Sequence, residues 1–310
     1  MINYLLSMIM CLNENSPKIG FYESAIRDFS SLMGYDIQLD GSPLSYKDIG
    51  RFLEICKEND IKDIGIRTDK LEHKDIELIK KYNVRSVMFH MQSRSRNGSK
   101  IKSINSLNNF KNEIQLARNE SIPVEISMVI ARDNLEELDK IIEWCESNGV
   151  SLLVIERNVI SRYRNYKLDN ISSNDYKSLM FKIKDYNHSN GHKLGVAVSH
   201  CPNKILLHKN EMHDNNLGGC SAGIISCTID VDGEVIPCLP LFDIRLGNIQ
   251  NDSIANIWRN SPVFALLRDR NNLQGQCGRC KYKYCCGGCR AESYIMGAGL
   301  IGEDITCWEK

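Results

Sequence analysis

The feature that most constrains this chain is the segment from Cys277 to Ser293, "CGRCKYKYCCGGCRAES", in which five cysteines occupy thirteen positions. The 310 residues include thirteen cysteines, and nine of these lie from Cys220 onward. A chain of this length can bury a sizeable core without disulfide bonds, and a reducing cytoplasm keeps thiols free. The cysteines therefore predict a metal-binding region rather than a disulfide scaffold.

The charge of the chain is balanced, with 39 Lys and Arg against 39 Asp and Glu. A formal charge of zero gives no overall electrostatic attraction to nucleic acid or to an acidic membrane surface. The main apolar run, "MINYLLSMIM", is too short to span a bilayer and has no basic residues before it. We therefore expect a cytoplasmic protein with neither nucleic acid nor a membrane as partner.

Between residues 20 and 200, strand-like and helix-like patterns alternate regularly. The strand-like stretches are 35–41, 61–67, 84–91, 124–130, 150–158 and 193–200. This alternation predicts a parallel sheet covered by helices, in which functional residues lie where strands end. Those ends include 40–43, 67–70, 90–96 and 156–164. The last two are basic, and we interpret them as solvated loops.

The pattern changes near residue 200. The stretch "CTIDVDGEVIPC" predicts a β-hairpin that turns at Asp232 and Gly233. We therefore predict two domains, residues 1–200 and residues 215–310, with no internal repeat and no low-complexity linker.

The thiol spacing of the second predicted domain points to metal chemistry. Two CxxC pairs could clamp one zinc ion, but zinc ribbons usually separate such pairs by more residues than the five found here. Eight cysteines stand out, which is enough for two sets of four, and a set without histidine favours iron–sulfur clusters. A zinc-stabilised docking module without a redox role stays open as an alternative.

The same cysteines resemble a known family. Cys220, Gly233 followed by Cys238, Cys277-x2-Cys280-x5-Cys286-x2-Cys289 and Cys307 resemble the SPASM domain, the C-terminal extension of many radical S-adenosylmethionine (AdoMet) enzymes. The usual last pair is three residues apart rather than two. The "CGGCRA" and "GED" stretches here are similar to members that act in haem and quinone-cofactor pathways.

The resemblance implies two auxiliary 4Fe–4S clusters with interleaved ligands. The first set implied is Cys220, Cys227, Cys238 and Cys289, and the second is Cys277, Cys280, Cys286 and Cys307. Cys285 then has no ligand role, although it could exchange with its neighbour Cys286. The helical patterns around Cys56 and Cys145 predict core thiols, and Cys201 is not assigned.

The upstream region resembles the barrel of the same family. The expected fold is therefore α/β, a partial (β/α)6 TIM-like barrel followed by a small Cys-rich SPASM domain with a β-hairpin. The stretch Asp40, Gly41, Ser42 and Pro43 resembles a degenerate form of the family's AdoMet-binding segment after the second strand.

The catalytic CxxxCxxC motif of that family is missing from this sequence. If Cys11 is the third ligand, its partners fall on Tyr4 and Met8, and if it is the first, they fall on Asn15 and Lys18. AdoMet cleavage needs an iron with a free coordination position, which a cluster held by four thiolates does not offer.

The expected function is therefore that of an iron–sulfur protein in peptide or cofactor-precursor modification. It would bind the substrate or relay electrons for a catalytic radical AdoMet partner or electron donor. An active radical AdoMet enzyme with unorthodox cluster ligands is the alternative. Sulfatase-maturing relatives carry an Asp after the hairpin cysteine, and Leu239 at that place argues against their activity.

Overall fold

The computed structural model describes residues 4–91, 103–132, 134–157, 171–189, 191–199 and 219–309. Its strands are β1 Ser7–Leu12, β2 Asp36–Gly41, β3 Asp63–Arg67, β4 Ser86–Met91, β5 Val124–Ile130, β6 Leu152–Arg157, β7 Gly195–Val198, β8 Ser226–Ile229, β9 Glu234–Ile236 and β10 Gly247–Asn248. Its helices are α1 Ile19–Ser31, α2 Ile49–Glu58, α3 His73–Lys81, α4 Ser103–Asn108, α5 Lys111–Asn119, α6 Leu138–Ser147, α7 Ser173–His188, α8 Ile254–Asn260, α9 Pro262–Arg268, α10 Gly275–Arg279 and α11 Arg290–Ile295. No helix in these ranges is both long and apolar enough to cross a membrane.

The chain forms two compact units that each combine separate stretches of sequence. The first contains Met1–Phe89, Gln115–Pro123 and Ala222–Arg268, and the second contains His90–Ile114, Val124–Ser221 and Asp269–Lys310. The division at residues 200–215 proposed from composition stays a prediction about domains.

In the first unit, the strands follow the order β10-β9-β8-β1-β2-β3-β4, with residues 86–89 of β4 in this unit. Strands β1 to β4 pair in parallel, and β8 also runs parallel to β1, with Ser7 opposite Ser226. The predicted hairpin is present, because β8 and β9 pair antiparallel and Gly233 takes a φ of +84° in the turn. Apolar residues of β1 and β2 and one face of α1 form the core.

In the second unit, β5, β6 and β7 pair in parallel in that order. Every residue of β5 is buried, as expected for a strand covered on both faces. The predicted α/β class with a parallel sheet is therefore confirmed. Cys56 in α2 of the first unit and Cys145 in α6 of the second are both fully buried, as predicted for core thiols.

Candidate metal centre

Four cysteines of the tail, the segment from residue 220 onward, line one cavity in the second unit. Its lining contains Cys277, Cys280, Cys286 and Cys307. These are the four ligands that the family resemblance implies for the second cluster. Cys285 does not line the cavity, and its thiol donates to the carbonyl of Tyr282 at 3.4 Å.

Two consecutive glycines allow the backbone to curl around this cavity. Gly287 and Gly288 have φ values of +69° and +66°, a region that side chains with a Cβ rarely occupy. A Cβ on Gly288 would lie 2.9 Å from the Sγ of Cys277. The two glycines of "CGGC" therefore allow the backbone to approach the cysteine sulfurs closely.

Backbone N–H groups point at several of the cysteine sulfurs. The amide of Tyr282 donates to Cys280 at 3.4 Å, and the amide of Asp304 donates to Cys277 at 3.3 Å. Such hydrogen bonds stabilise thiolates and help to set the potential of a cluster bound to them. Burial raises the pKa of Cys286 to about 12 and that of Cys307 to about 11. Metal binding here must therefore displace protons.

Two arginines are buried beside these cysteines. Arg270 is 7% exposed and Arg290 is 1% exposed. The Nε and Nη1 of Arg270 and the Nε of Arg290 have no hydrogen-bond partner in the described part of the chain. Because a guanidinium stays charged in proteins, each is a buried cation with unsatisfied donors. An anionic group held by the cysteines would fit this environment.

The first ligand set implied by the resemblance is divided between the two units. Cys220 and Cys289 lie in the second unit, and Cys227 and Cys238 lie in the first. The amide of Cys220 donates to the carbonyl of Cys286 at 3.3 Å. Burial raises the pKa of Cys289, and the neighbouring Cys220 adds to this effect. Cys227 is buried in β8, and Cys238 follows the end of β9 by two residues, so one hairpin carries both.

Cys11 lies near the carboxyl end of β1, opposite Asp40 of β2. Burial raises the pKa of Cys11 far above its ordinary value, the carboxylates of Asp40 and Asp230 raise it further, and Arg67 opposes them. Arg67 pairs with Asp40 at 3.3 Å. Local bonds organise the six residues between β1 and α1, because the side chains of Asn13 and Ser16 accept from backbone amides within this connection.

The residues that resemble an AdoMet-binding segment follow directly. Asp40 and Gly41 end β2, and the amide of Ser42 donates to the carbonyl of Leu12 at 2.8 Å. Gly41 has a φ of +86°, and a Cβ on it would lie 2.8 Å from that same carbonyl. Pro43 is buried and begins a short 3-10 turn. These four residues stand at the strand end that the sequence predicts, and AdoMet binding by them stays a prediction.

Sequence reasoning assigned no role to Arg270, Arg290 or Asp304. Asp304 is buried, and its Oδ2 accepts from the amide of Cys289 at 2.8 Å. Arg290 lies in the "CGGCRA" stretch and Asp304 in the "GED" stretch. Their charge, close to a predicted ligand, is the sequence signal that could have identified them. Cys201 and the basic stretches 92–96 and 158–164 lie outside the described residues.

Comparison with known proteins matches part of the tail to a known domain family. A family model for the SPASM iron-sulfur cluster-binding domain matches residues 220–281. An AdoMet-dependent heme synthase of Methanosarcina barkeri is 26% identical over 209 residues, which cover 63% of this chain and 58% of that protein. The mycofactocin maturase MftC of Mycobacterium tuberculosis is 30% identical over 188 residues, covering 59% and 46%. The chain spans a little over half the length of the heme synthase relatives it matches.

Solved structures show the same fold. SuiB of Streptococcus suis, bound to S-adenosylmethionine, matches with a TM-score of 0.76 and 18% identity, over 99% of this chain and 78% of that one. The protein anSMEcpe with bound AdoMet and a peptide matches with a TM-score of 0.66 and 14% identity, over 96% and 92%. The resemblance to radical AdoMet proteins with a C-terminal SPASM domain is thus confirmed.

Proposed function

We propose that this chain binds two 4Fe–4S clusters through its tail cysteines and does not itself cleave AdoMet. It would act in the modification of a peptide or a cofactor precursor, binding the substrate or relaying electrons for a catalytic partner. The observation that carries the proposal is the cavity lined by the four thiols implied for the second cluster, Cys277, Cys280, Cys286 and Cys307.

The chemistry of this cavity fits an iron–sulfur cluster. Its four sulfur donors are soft thiols, the donor type that holds iron–sulfur clusters. Amides donate to Cys277 and Cys280, and the cations Arg270 and Arg290 are buried nearby. When bound, the clusters would supply one-electron transfer. The protein would hold each cluster through the cysteine sulfurs and balance part of its charge.

The carboxyl end of β1 around Cys11, called the barrel mouth below, supports the second half of the proposal. Radical generation needs an iron that three thiolates hold and that leaves one position open for AdoMet. Cys11 is the single cysteine between the start of β1 and the end of α1.

A peptide substrate is supported by the relatives. The maturase MftC is named for action on mycofactocin, and SuiB has been solved with its precursor peptide SuiA. We extend this substrate class to the present chain, with a cofactor precursor as the second possibility because of its heme synthase relatives.

Metal analysis of anaerobically purified and reconstituted protein tests the cluster count. We expect about eight irons and eight sulfides per chain, with a reducible EPR signal. Cys307→Ser should remove about half of the iron, since it takes one ligand from one cluster. Cys285→Ser is the matched control and should leave the iron content unchanged. Zinc in place of iron, or equal losses in both variants, would overturn the cluster assignment.

Incubation with AdoMet and dithionite tests the absence of radical chemistry. We expect no 5′-deoxyadenosine from this chain, while an AdoMet-dependent heme synthase relative assayed in parallel should form it. Production of 5′-deoxyadenosine by this chain would instead establish an active enzyme with unorthodox ligands.

A further inference from the structure

Arg270 and Arg290 are buried, and neither forms an ion pair with a carboxylate among the described residues. A guanidinium does not lose its proton in a protein, so burial cannot neutralise it as it neutralises a lysine. A buried cation without a partner is costly, and proteins avoid it unless an anion is present. Arg270 and Arg290 therefore indicate an anion in this part of the second unit.

The contacts of Arg270 connect it to both predicted ligand sets. Its Nη2 donates to the carbonyl of Cys220 at 3.0 Å. A Cβ on Gly287 would lie 1.8 Å from its Nη1, so the guanidinium rests against the backbone that follows Cys286. Cys220 belongs to the first implied set and Cys286 to the second.

Arg290 contacts two backbone carbonyls and one predicted ligand of the second set. Its Nη1 donates to the carbonyls of Leu300 and Gly302, at 3.1 and 2.7 Å. Its Nη2 donates to the Sγ of Cys277 at 3.8 Å. The carbonyls hold the guanidinium in place, its Nη2 faces a sulfur, and its Nε has no partner among the described residues.

The carboxylates described in this region do not neutralise either arginine. Asp304 is buried, but its oxygens accept from the amides of Cys289 and Thr306. Glu292 pairs with a third buried arginine, Arg157, at 3.6 Å. No carboxylate of the described residues forms an ion pair with Arg270 or Arg290.

We propose that Arg270 and Arg290 balance the negative charge of the thiolate-bound cluster in the Cys277, Cys280, Cys286 and Cys307 cavity and thereby raise its reduction potential. This inference rests on the proposed function. Four thiolates outweigh the positive charge of an iron–sulfur core, so the bound cluster is an anion. Reduction adds one more negative charge, and a fixed buried cation stabilises the reduced form more than the oxidised form.

The test compares charge removal at a buried and an exposed arginine near the same cysteines. Arg270→Gln removes the buried charge, and Arg270→Lys keeps a charge without the planar fork. Arg279→Gln is the matched control, because Arg279 precedes the ligand Cys280 directly but is exposed, so water screens its charge. The readout is an anaerobic redox titration with dithionite as electron donor, followed by EPR, together with iron content.

We expect Arg270→Gln to lower the reduction potential of the EPR-active cluster. At a fixed solution potential, the ratio of reduced to oxidised cluster should fall at least tenfold. That loss corresponds to about 59 mV for a one-electron couple. Arg270→Lys should recover most of the shift, and Arg279→Gln should differ little from wild type. If Arg270→Gln loses iron and Arg270→Lys retains it, the charge role is also supported.

Equal potentials in wild type and Arg270→Gln would overturn the inference while leaving the clusters established. Loss of iron from both Arg270 variants would overturn it as well, because shape rather than charge would then be required. If the Arg270 variants do not fold, as judged by circular dichroism, the Gln and Lys pair at Arg290 takes their place with the same outcomes. Wild-type protein without iron is a different failure, that of the proposed function.

Discussion

Replacing Gly287 by alanine should displace the buried Arg270 guanidinium. Gly287 adopts a φ of +69°, and a Cβ at this position would lie 1.8 Å from the Nη1 of Arg270. No side chain with a Cβ fits at that distance, so either the backbone or the guanidinium must move. We expect the guanidinium to move, since its Nη1 and Nε make no hydrogen bond in the described part of the chain.

The cost has two parts. A left-handed conformation costs about 1–2 kcal/mol for alanine relative to glycine. Moving Arg270 breaks the hydrogen bond from its Nη2 to the carbonyl of Cys220, and a charged hydrogen bond is worth about 1.5–3 kcal/mol. Gly287→Ala should therefore reduce the free energy of unfolding by about 2.5–5 kcal/mol.

Gly297→Ala separates the two parts. Gly297 has a φ of +86°, and nothing lies within 4 Å of the position of an added Cβ. This variant should cost only the backbone part, about 1–2 kcal/mol. The assay is urea unfolding of reduced, metal-free protein, followed by circular dichroism and compared at equal m-values. If both alanines cost the same, the contact between Gly287 and Arg270 does not exist as described.

Three further predictions follow from the same structure. Cys11→Ala should leave the iron content of reconstituted protein unchanged, and a loss of about four irons would reveal a cluster at the barrel mouth. Trp258→Ala should lower the free energy of unfolding by about 3–5 kcal/mol, because Trp258 is fully buried. Phe181→Ala should change it by about 0.5 kcal/mol or less, because Phe181 is 43% exposed. Urea unfolding of both variants measures the difference. Asp304→Asn should lower the free energy of unfolding by about 1–3 kcal/mol in the same assay. The two oxygens of Asp304 accept from the amides of Cys289 and Thr306, and the asparagine has only one oxygen, so one buried donor loses its acceptor.

The alternation of strands and helices could be predicted because its causes are local. The stretch 35–41 alternates apolar and polar residues, and β2 occupies Asp36–Gly41 with its apolar residues buried. Gly149 follows α6 with a φ of +66°, as a residue that ends a helix should. In each case the residues that decide the structure are neighbours in sequence.

The neighbours of a strand could not be predicted in the same way. Strand β8 pairs with β1, which lies more than two hundred residues earlier in the chain, and no local pattern specifies this pairing. The sequence placed the hairpin in a separate domain because cysteine content changes near residue 200. In the structure, Ala222–Arg268 belongs to one compact unit with the first strands, and the domain division stays a prediction.

The ligand sets needed more than the spacing of cysteines. Spacing alone left zinc and iron–sulfur clusters open, and the grouping of the second set came from the family resemblance. The structure then brings those four cysteines around one cavity. The sequence does not single out Arg270, because it lies seven residues before Cys277 and because a sequence does not reveal which charges become buried.

The charges around the cysteines bear on the proposal that the tail, and not the end of β1 at Cys11, holds iron. At the barrel mouth, Cys11 faces Asp40 and Asp230, and the opposing Arg67 is already paired with Asp40. An added anionic cluster would meet carboxylates there. In the tail, the cysteines meet one buried carboxylate, Asp304, and two buried cations, Arg270 and Arg290, which form no ion pair with a carboxylate among the described residues. A chain with zero formal charge can therefore favour a thiolate-bound cluster at one site and oppose it at another, because burial, and not net charge, determines which charges the sulfurs meet.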